Sequence, residues 1–281
     1  MKNAMQLKAA IKSLAKEKGI SAQLVLQNYM LERFLERVSL SAYRGRFIIK
    51  GGFLIASMVG LHSRTTMDMD ATIREYPVTE ETVRKMVEEL LAVPVDDGIS
   101  FEFRSIGEIR EGDEYAGYRV ALVAHYQRMA VPLKLDMTTG DRITPQEIEY
   151  EYRLMLEDRS INVLAYNLPT LLAEKLETVV SRGDQNTRAR DYYDIFIMIK
   201  LHSDNLSLAT LRDALKATAE KRGTTAIVRQ YKGIMQSVLS SEVMNRRWDD
   251  YRKDYDYAAG IAFSDACDAV VSILDRASPY A

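Results

Sequence analysis

Two aspartates one residue apart, Asp68 and Asp70, close the segment Arg64-Thr65-Thr66-Met67-Asp68-Met69-Asp70, which follows the glycine pair Gly51-Gly52. Side chains two apart on a strand share a face, which sets these carboxylates side by side, roughly 7 Å apart along the backbone. Like charges in that register repel unless a cation lies between them. One or two divalent metal ions are the usual answer. Met67, Met69 and Ala71 then face the other way, into a core. A third acid, Asp136, shares a strand face with Lys134, while Val131, Leu133, Leu135 and Met137 line the opposite face. If that strand neighbours the first, Asp68, Asp70 and Asp136 converge. Two-metal phosphoryl transfer needs such hard oxygen ligands, holding ions about 4 Å apart. The plainer alternative is three solvated strand aspartates; the glycine pair and the third acid weigh toward a site.

Other residues extend this chemistry. A strand-to-helix turn at Gly51-Gly52 lets backbone N–H groups approach a phosphate, with the helix N-terminus adding partial positive charge. Lys175 shares a helical stripe with Leu172 and Val179. It reads either as a polyphosphate clamp or as a lysine snorkelling at the stripe's edge. Asp191 and Asp194 lie one turn apart on the next helix. They pair with Lys175 or an arginine, form an exposed ladder, or supply a general base. His62, His125 and His202 lack metal-ligand spacing and read as structural. The aromatic and basic stretch from Arg246 to Tyr257 reads as a packing surface, with RNA stacking as the alternative.

The elements that must position these groups are legible in outline. Residues 3–18 form an amphipathic helix stopped by Gly19. Ser21 caps a second helix running to about Ser39. Phe47-Ile48-Ile49 is a short buried strand, Phe53 to Val59 a helix ended by Gly60, and Thr79 caps a further helix. Strand patterns at 99–103, 118–124 and 131–137 follow, and helices run from about 165 onward. The chain is thus a mixed α/β half and an all-helical half, with the boundary somewhere in 150–167.

Composition sets the frame. The 281 residues are 47% apolar and 28% charged, with formal net charge -2. A nucleic-acid partner therefore has to be held by local basic patches. A single cysteine, Cys267, excludes an internal disulfide and fits a reducing cytoplasm. The stretch Met1 to Ala10 has no signal-peptide core, and no run is long and apolar enough to span a bilayer.

Together, Lys50-Gly51-Gly52, the Arg64–Asp70 segment, Lys134-Leu135-Asp136, Leu172-Ala173-Glu174-Lys175-Leu176-Glu177 and Asn186-Thr187-Arg188-Ala189-Arg190-Asp191-Tyr192-Tyr193-Asp194 resemble the motifs of the AbiEii nucleotidyltransferase toxins, related to the MenT group. The resemblance implies an α+β, DNA-polymerase-β-like mixed sheet with flanking helices, followed by an all-helical domain. It divides the chain into a nucleotidyltransferase domain, 1–160, and a helical domain, 161–281, that contributes Lys175 and Asp191 or Asp194. It implies transfer of a nucleoside monophosphate from an NTP, with Mg2+ or Mn2+ held by Asp68, Asp70 and Asp136. Lys175 matches the triphosphate-binding lysine, and Asp191 or Asp194 the downstream acid. Gly51, Gly52, Arg64 and Thr65 fall in the nucleotide-binding motifs. Such transferases carry Ser or Thr just after the glycine turn; here that residue is Phe53, and Ser57 lies one helical turn later. The resemblance also implies the toxin of a cytoplasmic toxin–antitoxin pair that serves in phage defence. It implies an AbiEi-type antitoxin encoded nearby, without a stable complex. Related toxins act on tRNA 3′ ends, making tRNA the leading acceptor. A protein hydroxyl or a small molecule is the alternative acceptor, and a catalytically weak binding protein the alternative class. Arg182, Arg188 and Arg190, with Lys221, Arg222, Arg229 and Lys232, are the candidate phosphate contacts for RNA.

Overall fold

The computed structural model describes residues 3–109 and 117–280, in two compact units. The first comprises residues up to Asp141 together with Ile148–Ala165; the second comprises Arg142–Glu147 and Tyr166 onward. This differs from a single cut at 160/161 in two respects. Residues 161–165 stay with the first unit, and a six-residue segment, Arg142–Glu147, crosses to the second.

The first unit opens with helices α1 (Ala4–Lys18) and α2 (Ala22–Leu40). Gly19 ends α1 in the left-handed conformation, φ 65°, which a glycine adopts without strain. Ser21 caps α2 by accepting the Leu24 N–H. Strand β1 (Phe47–Lys50) runs directly into α3 (Gly51–Val59), followed by β2 (Asp68–Ile73) and α4 (Glu80–Leu91). Thr79 and Thr82 cap α4 reciprocally. Strands β3 (Ile99–Glu108), β4 (Gly117–Tyr126), β5 (Met129–Thr139), β6 (Ile148–Arg153) and β7 (Ser160–Ala165) complete a seven-stranded sheet ordered β3-β4-β5-β2-β1-β7-β6. β2 pairs with β5, and β1 with β7, in parallel; the other neighbours are antiparallel.

Helix α2 packs on β5 and β7, α3 on β1 and β2, and α4 on β3. Phe34 meets Phe47 and Phe101 edge to face. The apolar stripe is only part of the α2 story, because Glu32, Arg33, Glu36 and Arg37 are buried as well. Buried charges persist only when paired. Arg37 forks onto Asp97 at 2.9 and 3.0 Å, and Arg33 bonds Glu32 and Glu157. One expectation fails here. Met69 and Ala71 enter the core, but Met67 is half exposed, because β2 begins only at Asp68.

The second unit holds α5 (Leu168–Arg182), α6 (Ala189–His202), α7 (Leu208–Lys221), α8 (Thr225–Val228), α9 (Tyr231–Ser240), α10 (Glu242–Asp254) and α11 (Phe263–Ala277). Trp248 is buried against Phe263 and Tyr251 and donates its indole N–H to the Ile261 carbonyl at 3.0 Å. Arg247 and Arg252 bond backbone carbonyls. One face of the stretch from Arg246 to Tyr257, centred on Trp248 and Tyr251, therefore packs within the unit.

Candidate active site

The register of the first unit's sheet lines up charges across four strands. Arg119 on β4 pairs with Asp136 on β5, Asp136 with Asp70 on β2, and Asp70 with Lys50 on β1. Directly paired residues project to the same face. Two carboxylates thus stand between two cations. Asp68 lies two residues along β2, opposite Lys134.

The glycines leave room for two side chains, Asp70 and Arg64. Gly51 has φ +61°, and a Cβ there would lie 2.2 Å from Asp70 Oδ2. A Cβ on Gly52 would lie 2.9 Å from Arg64 Nη2. The Gly52 N–H donates to Asp70 Oδ2 at 3.3 Å, so this carboxylate sits at the positive end of α3. The turn's N–H at Gly52 is therefore directed at Asp70. Arg64 is buried and donates to the Thr65 carbonyl; Thr65 is buried too. Phe53 is buried and stacks on Tyr152 with ring centroids 5.6 Å apart, which removes it from any phosphate contact. Ser57 bonds the Leu54 carbonyl and the Tyr150 hydroxyl.

Two amides that sequence reasoning did not single out set the approach to β2. Gln27 donates to the Met67 carbonyl at 3.0 Å, and Asn28 to the Thr66 carbonyl at 2.7 Å. Their signal was two adjacent amides within the apolar first half of α2, between Val25 and Tyr29. Arg119 was missed as well. It donates through Nε and Nη2 to the two oxygens of Asp136, at 2.8 and 2.7 Å. That fork, with Asp68 and Asp70 adding their field, holds the guanidinium protonated beyond its ordinary range. A two-residue turn at Gln127–Arg128 sets Tyr126 opposite Met129, and counting back along both strands brings Arg119 opposite Asp136. Lys50 bonds Thr138 Oγ1 at 2.8 Å and pairs with Asp141.

The donor chemistry of Asp68 and Asp70 fits a hard divalent cation. Mg2+ commonly takes one or two carboxylates and completes its shell with water and substrate phosphates. Among the described residues no three acidic, histidine or cysteine side chains form a metal-holding group, His62, His125 and His202 included.

In the second unit, Asn167 caps α5 by accepting the Thr170 N–H at 2.8 Å. Lys175 Nζ lies 2.6 Å from Asp191 Oδ1 and 2.8 Å from Asp194 Oδ2. The two aspartates are buried, and Asp191 sits in the first turn of α6, where a negative charge is favoured. Arg182, Arg188 and Arg190 are exposed. Arg222 pairs with Glu177, Lys232 pairs with Asp275 at 3.1 Å, and Arg229 stacks over Tyr280.

The fold belongs to a class of known transferases. MenT4, a nucleotidyltransferase toxin of Mycobacterium tuberculosis, superposes with a TM-score of 0.54 at 15% identity, covering 95% of this chain and 99% of that one. JHP933 of Helicobacter pylori gives a TM-score of 0.48 at 15% identity, covering 91% of this chain and 93% of that one. No curated protein matches the chain. The sequence matches the family described as nucleotidyl transferase AbiEii toxin, type IV TA system, over residues 33–270. The chain belongs to that family and is a nucleotidyltransferase toxin of a type IV toxin–antitoxin system. Among its described residues no helix is long and apolar enough to cross a membrane.

Proposed function

We propose that this chain transfers a nucleoside monophosphate from an NTP to the 3′ end of an RNA, with tRNA as the leading acceptor. The observation that carries the reading is the half-buried pair Asp68 and Asp70, with Asp70 at the N-terminus of α3, in a chain of this family. Asp68 and Asp70 are assigned to hold Mg2+ or Mn2+, which when bound neutralises charge on the triphosphate. Gly51 leaves room for the Asp70 side chain and Gly52 for Arg64, and the buried Arg64 and Thr65 support that turn, which is assigned to the nucleotide by its match to the family's motifs. Lys175 is assigned to the triphosphate by its match to the family's lysine, with Asp191 and Asp194 holding its ammonium. The ribose hydroxyl of the acceptor attacks the α-phosphorus, the bond to the β-phosphate oxygen breaks, and pyrophosphate leaves.

RNA is assigned to a local basic surface, since the net charge of -2 provides no attracting field. The exposed Arg182, Arg188 and Arg190 are its first candidates. An antitoxin encoded nearby, a cytoplasmic setting and growth arrest through blocked translation complete the proposal. The deciding experiment incubates the protein with each α-labelled NTP, Mg2+ and total cellular RNA. Label in the tRNA size range is the expected result. Label on protein or on a small molecule, and never on RNA, overturns the acceptor and installs the alternative one.

A further inference from the structure

We propose that Arg119 is a phosphate-binding residue of the nucleotide site and that Asp136 is its positioning residue rather than an ion ligand; this rests on the assignment of Asp68 and Asp70 to the metal nucleotide. Both oxygens of Asp136 accept from Arg119, through Nε and Nη2. The fork leaves Nη1 without a partner among the described residues, on a side chain that is 48% exposed. The carboxylate itself is 16% exposed, so Asp136 anchors and Arg119 presents. A cation ligated by Asp136 would have to displace this guanidinium or lie against it, and like charges at contact oppose each other. The ion has no need of that ligand, because phosphate oxygens and water complete a shell begun by two carboxylates. An arginine already locked by one carboxylate loses little freedom when it takes a phosphate, and its Nη1, with the second N–H of Nη2, forms another planar edge that suits phosphate oxygens. Its place in the register row, beside Asp136 and then Asp70, puts it on the sheet face of the carboxylates assigned to the metal nucleotide.

The test separates metal from nucleotide. Mn2+ binding to the protein alone is followed by electron paramagnetic resonance, and binding of each NTP with Mg2+ by calorimetry, with circular dichroism as the check on folding. Asp136→Asn is expected to keep wild-type Mn2+ affinity. Arg119→Ala and Asp136→Asn are each expected to weaken NTP binding by on the order of ten- to a hundredfold. Combining them should weaken it no further, because the two side chains act as one unit. Arg119→Lys keeps the charge and the fold but loses the fork, and is expected to weaken NTP binding as well. Loss of Mn2+ binding in Asp136→Asn, or unchanged NTP affinity in Arg119→Ala and Arg119→Lys, overturns the proposal. If Asp68→Asn and Asp70→Asn bind Mn2+ and NTP like the wild type, the underlying site assignment falls instead, whatever Arg119 does.

Discussion

Two clusters of the same residue types sit in this molecule, and they differ in how far they are closed. On the sheet, Asp68, Asp70 and Asp136 stand on a partly exposed face, flanked by a half-exposed arginine. In the helical unit, Asp191 and Asp194 are 4% and 0% exposed at the side chain, and Lys175 reaches both. The first cluster lies at a surface where water and ligand have access. In the second, the lysine is paired with both carboxylates, in surroundings where an unpaired charge is costly to keep. An open carboxylate cluster is accessible to a cation from solution, whereas a buried one needs its countercharge from within the fold.

The largest expected effect falls on the open cluster. Asp68→Ala or Asp70→Ala should cut nucleotide transfer by about a thousandfold or more, the scale of several kcal/mol of lost charge stabilisation. The melting temperature without metal should hold or rise slightly, since a repulsive neighbour is gone. Wild-type transfer by both variants would remove these residues from the chemistry.

The closed cluster should respond in the opposite way. Lys175→Ala strands two buried carboxylates and should cost about 3–5 kcal/mol of stability. Denaturation followed by the single tryptophan, Trp248, which lies in the same unit, reads this directly. The triple change Lys175→Ala, Asp191→Asn, Asp194→Asn removes the stranded charges and should regain most of the loss. If that variant folds well and has lost NTP affinity, Lys175 is a clamp as well as a tie. NTP affinity equal to wild type would leave it a tie alone.

The elements legible in the sequence were those with local punctuation. Ser21, Thr79, Gly19 and Gly60 mark helix ends by chemistry that needs no distant partner. The shared face of Asp68 and Asp70 followed from strand alternation in the same way. β6 and β7 were not picked out. β7 earns its place by pairing with β1, far away in the chain, and β6 by lying on β7 at the sheet edge. The buried charges of α2 and the Arg119 fork were hidden for the same reason, because each is explained by a partner on another element.

The smallest effect concerns Cys267, which probes how tightly the helical unit is shut. Burial pushes its thiol up from 9.0 to about 12, with Asp268 adding to the shift. The thiolate is the reactive form, so labelling of the native protein at pH 8 should be very slow and become fast on unfolding. The folded value lies above the unfolded one. The stability this thiol contributes is therefore full below pH 9 and lost as pH rises through about 12. Rapid labelling of the native state would mean that the helical interior opens readily.

The double crossing of the chain has a consequence for how the molecule comes into being. Polypeptide leaves the first unit after Asp141, lends six residues to the second, and returns for β6 and β7 before departing at Tyr166. On the ribosome, β1 emerges early and bonds β2, but its other edge waits for β7. Until then Phe47, Ile48 and Ile49 border an unpaired strand edge. No single cleavage releases either unit with all of its residues. A cell synthesising this chain therefore carries no finished sheet until the stretch shared with the helical unit has already been made.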